Sequence, residues 1–129
     1  MFLIRNKLGI FWTLLILWLC LMPGDNLPEP SFFSFVGADK LIHAVLYLIL
    51  LILVNKGLVN YFKPSYSLDR IVFIAFLYCI LIGVGIEFIQ SAFIAGRVGD
   101  VFDVLANFVG TAAGVLLTRV KLKRKTGIT

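Results

Sequence analysis

Asp39, His43 and Tyr47 stand four residues apart in DKLIHAVLY, and Glu87 and Gln90 stand three apart in EFIQ. Arg97, Asp100, Asp103 and Asn107 follow at steps of three, three and four in RVGDVFDVLAN. These types can carry several kinds of chemistry. His43 with Glu87 or Asp103 can serve as a general acid and base. His43 with carboxylates can also hold a divalent metal that activates water against a phosphoester or an amide. Without either, the acidic groups with Gln90 and Asn107 suit hydroxyl, amide or amine groups, while Arg97 and Lys40 can meet phosphate. One histidine makes a zinc site thin, since such sites ordinarily draw several His or Cys ligands. Cys20 and Cys79 lie inside apolar runs, where a thiol behaves as a small hydrophobe. The sequence therefore assigns no metal, no disulfide and no identifiable cofactor.

The elements that must position these groups are written in hydropathy. Of 129 residues 60% are hydrophobic, and the mean hydropathy is +1.01, far above a soluble domain. Apolar segments run over 8–22, 41–54, 71–89 and 104–120. The first two are short, but Lys7, Lys40 and Lys56 have stems long enough to carry an ammonium to the headgroups while the backbone stays helical. The expectation is an all-α integral membrane bundle of four transmembrane helices, approximately 7–23, 40–58, 71–91 and 101–120, in a single domain 1–129 with a basic tail at 121–129. Trp12 and Trp18 lie toward opposite ends of the first span, where aromatic belts form. Residues 23–39, rich in Pro and Gly, read as a loop, with Phe32, Phe33 and Phe35 against the interface. The region after Arg119 is expected to be the least ordered.

Twelve Lys and Arg against seven Asp and Glu leave +5. Their positions matter more than the sum. With a cytoplasmic N-terminus, ten of the twelve basic residues fall inside and only Lys40 and Arg97 outside, the asymmetry that orients short-loop membrane proteins. Both termini are thus read as cytoplasmic and the N-terminal span as uncleaved. The basic tail needs no nucleic acid, because anionic headgroups explain it.

Under that topology the polar residues share the outer half of three helices. Asp39, His43 and Tyr47 share one face of the second span, and Cys79, Gly83, Glu87 and Gln90 share one face of the third. Asp100, Asp103, Asn107, Gly110 and Gly114 fall within a stripe about 80° wide on the fourth. Gly110 and Gly114 form a small-xxx-small pattern that admits a neighbouring backbone. An Asp at mid-membrane costs about 2.5–3.5 kcal/mol on insertion scales, so these groups should face one another or water. A polar pocket walled by spans two, three and four follows, with the first span as scaffold. Duller roles exist for each residue. Asp39 and Asp100 stand where helices begin and can cap them. His43 can be a hydrogen-bonded core residue, and Glu87 can pair with Arg97, Lys40 or His43.

The ordered set Asp39, Lys40, His43, Tyr47, Glu87, Gln90, Gly96, Arg97, Asp100, Asp103, Asn107, Gly110 and Gly114 resembles the VanZ-like family of bacterial membrane proteins. The likeness runs from about Asp39 to Gly114. It implies a multi-pass protein of the bacterial cytoplasmic (inner) membrane and, by the family's name, an association with resistance to the glycopeptide teicoplanin. The favoured expectation is an accessory or binding role toward a lipid-linked envelope precursor or a lipoglycopeptide, with the bilayer as the other partner. A membrane-embedded hydrolase using His43 with Glu87 or Asp103 is the first alternative, and an ion- or proton-coupled transporter the second. The sequence leaves the oligomeric state open.

Overall fold

The computed structural model describes residues 2–22, 37–62, 66–94 and 99–126, with the backbone alone at 2, 3 and 122–126. All the described elements are helices: α1 Phe2–Arg5, α2 Lys7–Leu21, α3 Ala38–Phe62, α4 Leu68–Phe93 and α5 Val101–Thr126. Three of them, α3, α4 and α5 as far as Lys121, are long and apolar enough to cross a membrane. The fourth expected span is shorter. Its 15 residues make a helix of about 22 Å, against a hydrocarbon core of about 30 Å.

The bundle is held by stripes of small and polar residues on otherwise apolar rods. On α5 the buried positions are Asn107, Gly110, Thr111, Gly114 and Thr118, and this stripe lies on α3. A Cβ at Gly110 would fall on the carbonyl of Ala44, and one at Gly114 would come within 2.8 Å of Leu51 Cδ2 and 3.1 Å of the Leu48 carbonyl oxygen. Glycine is what lets these two backbones approach. On α4 the inward face includes Ile71, Ala75, Cys79, Gly83, Ile86, Glu87 and Gln90. Tyr47, Leu50, Leu51, Ile16 and Ile71 fill the centre. The outward faces carry Phe11, Leu81, Phe88, Val109 and Leu116, all exposed, a surface that water would penalise and lipid does not.

Helix α2 also has a buried stripe, Asn6, Gly9, Thr13, Ile16 and Cys20, at steps of three and four. It is more polar than the sequence reading allowed. Thr13 Oγ1 bonds the Gly9 carbonyl at 2.8 Å and the Tyr78 hydroxyl at 2.9 Å, tying α2 to α4. The Trp12 indole donates to the Leu46 carbonyl at 3.0 Å, so it braces α2 against α3. Trp18 is exposed.

Local chemistry sets the helix ends. Gly37, at φ +96°, opens α3, a conformation L side chains rarely adopt, and its carbonyl accepts from Leu41 N at 3.1 Å. Ser67 caps α4 through Arg70 N. The basic residues beyond Arg119 do not leave the helix: α5 continues to Thr126. Lys and Arg are good helix formers, and positive charge near a C-terminus is favoured by the helix dipole. Phe32, Phe33, Phe35 and Arg97 lie outside the described residues.

Candidate functional site

The polar ends of α3, α4 and α5 meet at one end of the bundle because α3 and α5 begin there and α4 finishes there. Lys40 is the hub. Its Nζ lies 2.7 Å from Asp39 Oδ2, 2.6 Å from Asp100 Oδ2 and 2.7 Å from Asp103 Oδ1. Asp100 caps α5 as well, since its Oδ1 accepts from Phe102 N at 2.8 Å. The Lys40 ammonium, helped by the Phe102 amide, holds the Asp100 carboxyl below the usual aspartate value. Capping and ion pairing are thus two jobs of one side chain, one for each oxygen.

Beneath this exposed layer lies a more enclosed one. His43 Nδ1 is 3.1 Å from Asn107 Oδ1, and His43 Nε2 is 3.7 Å from Asp103 Oδ2. With an amide oxygen facing Nδ1, that nitrogen is the donor of the pair, and Nε2 is the ring nitrogen that faces the carboxylate of Asp103. Glu87 is 6% exposed. Its Oε2 accepts from Asp100 N at 3.0 Å, while Oε1 is buried without a hydrogen-bond partner. None of the ion pairs among the described residues includes Glu87. One ligand atom each from His43, Glu87 and Asp103 lie within 4.8 Å of one another.

The structure therefore gathers Asp39, Lys40, His43, Glu87, Asp100, Asp103 and Asn107 into one network. It places others differently. Gln90 turns to α2, where Nε2 donates to the Cys20 carbonyl at 2.6 Å, so its amide is a brace between helices. Tyr47 lies one turn below His43, almost wholly buried, its hydroxyl without a partner. Lys40 is spent on three carboxylates, which leaves it unsuited to hold a phosphate. Glu87 takes the Asp100 amide and pairs with neither Lys40 nor His43, while Arg97, the third partner the sequence reading offered it, lies outside the described residues.

Sequence reasoning missed Ser91. Its Oγ donates to the Glu87 carbonyl at 2.9 Å and accepts from Gly99 N at 3.0 Å, fixing the approach to α5. A Cβ at Gly99 would strike that hydroxyl. The signal was present: Ser91 stands four residues after Glu87, one turn along the same face.

The opposite end is basic. There Arg5 Nη1 donates to the Asn60 carbonyl at 2.5 Å, and Arg119 lies 3.4 Å from Asp69. A cavity of about 400 Å³ opens there, lined by Asn55, Lys56, Asn60, Thr118 and Lys121 among others.

A family model described as VanZ/LLP1 matches residues 6–122. The chain is 34% identical over 126 residues to the uncharacterized protein C11E3.10 of the fission yeast Schizosaccharomyces pombe, covering 96% of this chain and 70% of that one. No solved structure matches.

Proposed function

The chain belongs to the VanZ-like family of membrane proteins, and from that membership we propose that it is a binding module whose acidic end takes the polar head of a membrane-borne ligand. The observation that carries this reading is Glu87: a buried carboxylate oxygen with neither a hydrogen-bond partner nor an ion pair, facing the network of Lys40, His43 and Asp103. A buried acceptor left unsatisfied is costly, and a ligand that supplies a donor removes the cost. With Lys40 committed, the acceptors that remain favour amine, hydroxyl or amide groups over phosphate. A lipid-linked envelope precursor or a lipoglycopeptide has such groups beside an apolar anchor, and the family's association with teicoplanin fits an accessory role of this kind.

The basic residues give the orientation. The end that holds Arg5, Lys56 and Arg119 is cytoplasmic, both termini with it, and the acidic end faces outward. The inner membrane of a bacterium is the setting that the family resemblance implies. An impermeant maleimide tests it in intact cells carrying a chain whose native cysteines are replaced: a cysteine at Asp39 should label and one at Tyr66 should not. The reverse pattern would overturn the orientation.

Binding is tested by native mass spectrometry of the chain in mild detergent. A lipid retained by wild type and lost from Asp103→Ala is the expected result; no retained lipid in wild type refutes the reading. The 3.7 Å approach of His43 Nε2 to Asp103 Oδ2 supports a second reading, a hydrolase in which His43 moves a proton. Turnover abolished by His43→Ala with ligand still retained would select it. Transport has less support, because the layer of Leu50, Leu51, Val54, Ile71 and Ala75 beneath the site is apolar.

A further inference from the structure

We infer that His43, Glu87 and Asp103 form a divalent metal site of the zinc or manganese class, independent of which lipid or glycopeptide the acidic end takes. Each of the three has one side-chain atom already engaged, by a hydrogen bond or an ion pair, and one left over. His43 Nδ1 is taken by Asn107, leaving Nε2. Asp103 Oδ1 is taken by Lys40, leaving Oδ2 beside His43. Glu87 Oε2 is taken by the Asp100 amide, leaving Oε1 buried with no partner. A metal-binding histidine characteristically gives its other ring N–H to a carbonyl or carboxylate that fixes the tautomer, and Asn107 Oδ1 stands in that place.

Charge supports the same conclusion. Among the described residues this end has four carboxylates, Asp39, Glu87, Asp100 and Asp103, against the one ammonium of Lys40. With His43 neutral and all four carboxyls ionised, three negative charges have no counter-charge among the described residues, two of them on side chains largely withdrawn from solvent. Such charges must find counter-charge or protons. A divalent ion supplies two charges and a partner for Glu87 Oε1 together.

The geometry is close to what an ion requires. Metal bonds of about 2.1 Å at a tetrahedral angle hold two ligand atoms about 3.4 Å apart. The present triangle, with no side above 4.8 Å, needs to contract by at most about 1.4 Å on a side, which side-chain torsions can supply. One imidazole nitrogen and two carboxylate oxygens suit Zn²⁺, Mn²⁺ or Fe²⁺ better than the softer sulfur-seeking metals. Three protein ligands leave positions for water or for an oxygen of a bound headgroup.

His43 is the only histidine in the chain, which makes the test direct. The full-length protein, purified in detergent on a tag without histidine and stripped with EDTA, is titrated with Mn²⁺ and with Zn²⁺. The expected result is one ion per chain, with an imidazole nitrogen coupled to bound Mn²⁺ in pulsed electron paramagnetic resonance. Asn107→Leu should weaken binding by about 10- to 100-fold, the usual effect of losing a supporting residue. Glu87→Gln and Asp103→Asn should weaken it further, and Asp69→Asn at the far end should not change it. No stoichiometric uptake by helical wild type, uptake without imidazole coupling, or full uptake by both Glu87→Gln and Asp103→Asn would each overturn the site. The imidazole signal decides even if those variants misfold. Lipid retained by stripped protein that takes up no metal would sink this inference and leave the binding reading standing, and metal uptake without lipid would do the reverse.

Discussion

Adding one methyl group to glycines in α4 and α5 should have three different outcomes, set by what the new Cβ meets. At Gly85 nothing lies within 4 Å. Gly85→Ala should therefore stabilise the bundle by about 0.5–1 kcal/mol, the general advantage of Ala over Gly inside a helix. At Gly114 the nearest atom is Leu51 Cδ2 at 2.8 Å, the far end of a side chain that can turn away, with the Leu48 carbonyl oxygen next at 3.1 Å. The gain and the crowding should nearly cancel. At Gly110 the three nearest atoms are the carbonyl oxygen, the carbonyl carbon and the Cα of Ala44, all backbone, and none can move unless α3 and α5 separate. Overpacking costs about 1–3 kcal/mol where side chains can adjust, so a backbone obstacle belongs at the upper end. After the propensity gain is subtracted, Gly110→Ala should destabilise by about 2 kcal/mol, a factor of about 30 in the folding equilibrium.

Equilibrium unfolding in mixed micelles with rising SDS, followed by circular dichroism and by Trp12 and Trp18 fluorescence, measures the series. The expected order is Gly85→Ala, wild type with Gly114→Ala, then Gly110→Ala. Ala44 follows Lys40 by one turn and Gly110 follows Asn107 by three residues, so the separation would also stretch the His43–Asn107 bond of 3.1 Å. Gly110→Ala as stable as Gly85→Ala would refute the reasoning that α3 and α5 touch backbone to backbone.

Two further outcomes can be checked. The Asp100 carboxyl is held below its ordinary value of 3.8, so the stability it adds is complete above that pH and is lost as pH falls through the lower folded value. Asn at this position keeps the helix cap, so the melting-temperature advantage of wild type over Asp100→Asn should be present at neutral pH and vanish in acid; an advantage unchanged by acid would contradict the Lys40 pairing. A Thr13→Val and Tyr78→Phe double-mutant cycle should give a coupling of about 0.6 kcal/mol, the usual size for a hydrogen bond between membrane helices, and additive effects would mean the 2.9 Å contact is not maintained.

The long helices and the polar stripe of α5 were legible in the sequence because hydrocarbon imposes them. A backbone in lipid must bond to itself, and charged groups must turn away from acyl chains, so period and hydropathy suffice. Asp39, His43, Glu87, Asp103 and Asn107 could be brought to one depth on that ground alone. Which atom meets which could not. The pattern offers Lys40 several anions, and its pairing with three of them depends on how α3 is rotated against α5. Glu87 found an amide hydrogen, a partner that no side-chain pattern announces. Gln90 shares a helical face with Glu87, yet it points to α2, because a face 80° or more wide can touch two neighbours. The stripe on α2 was passed over because Asn6, Gly9, Thr13 and Cys20 are too small or too mildly polar to stand out within an apolar run. Arg97 belongs to the sequence pattern and lies outside the described residues.

The brevity of α2 has an effect beyond the protein itself. At 15 residues it sits beside helices of 25 and 26 residues. A bilayer cannot match both lengths around one circumference, and a short apolar stretch is accommodated by thinning the surrounding lipid at a cost of a fraction of a kcal/mol per ångström. Thinning of that kind would fall on the α2 flank and not around the whole bundle. Membranes of smaller thickness are the better host for such a shape.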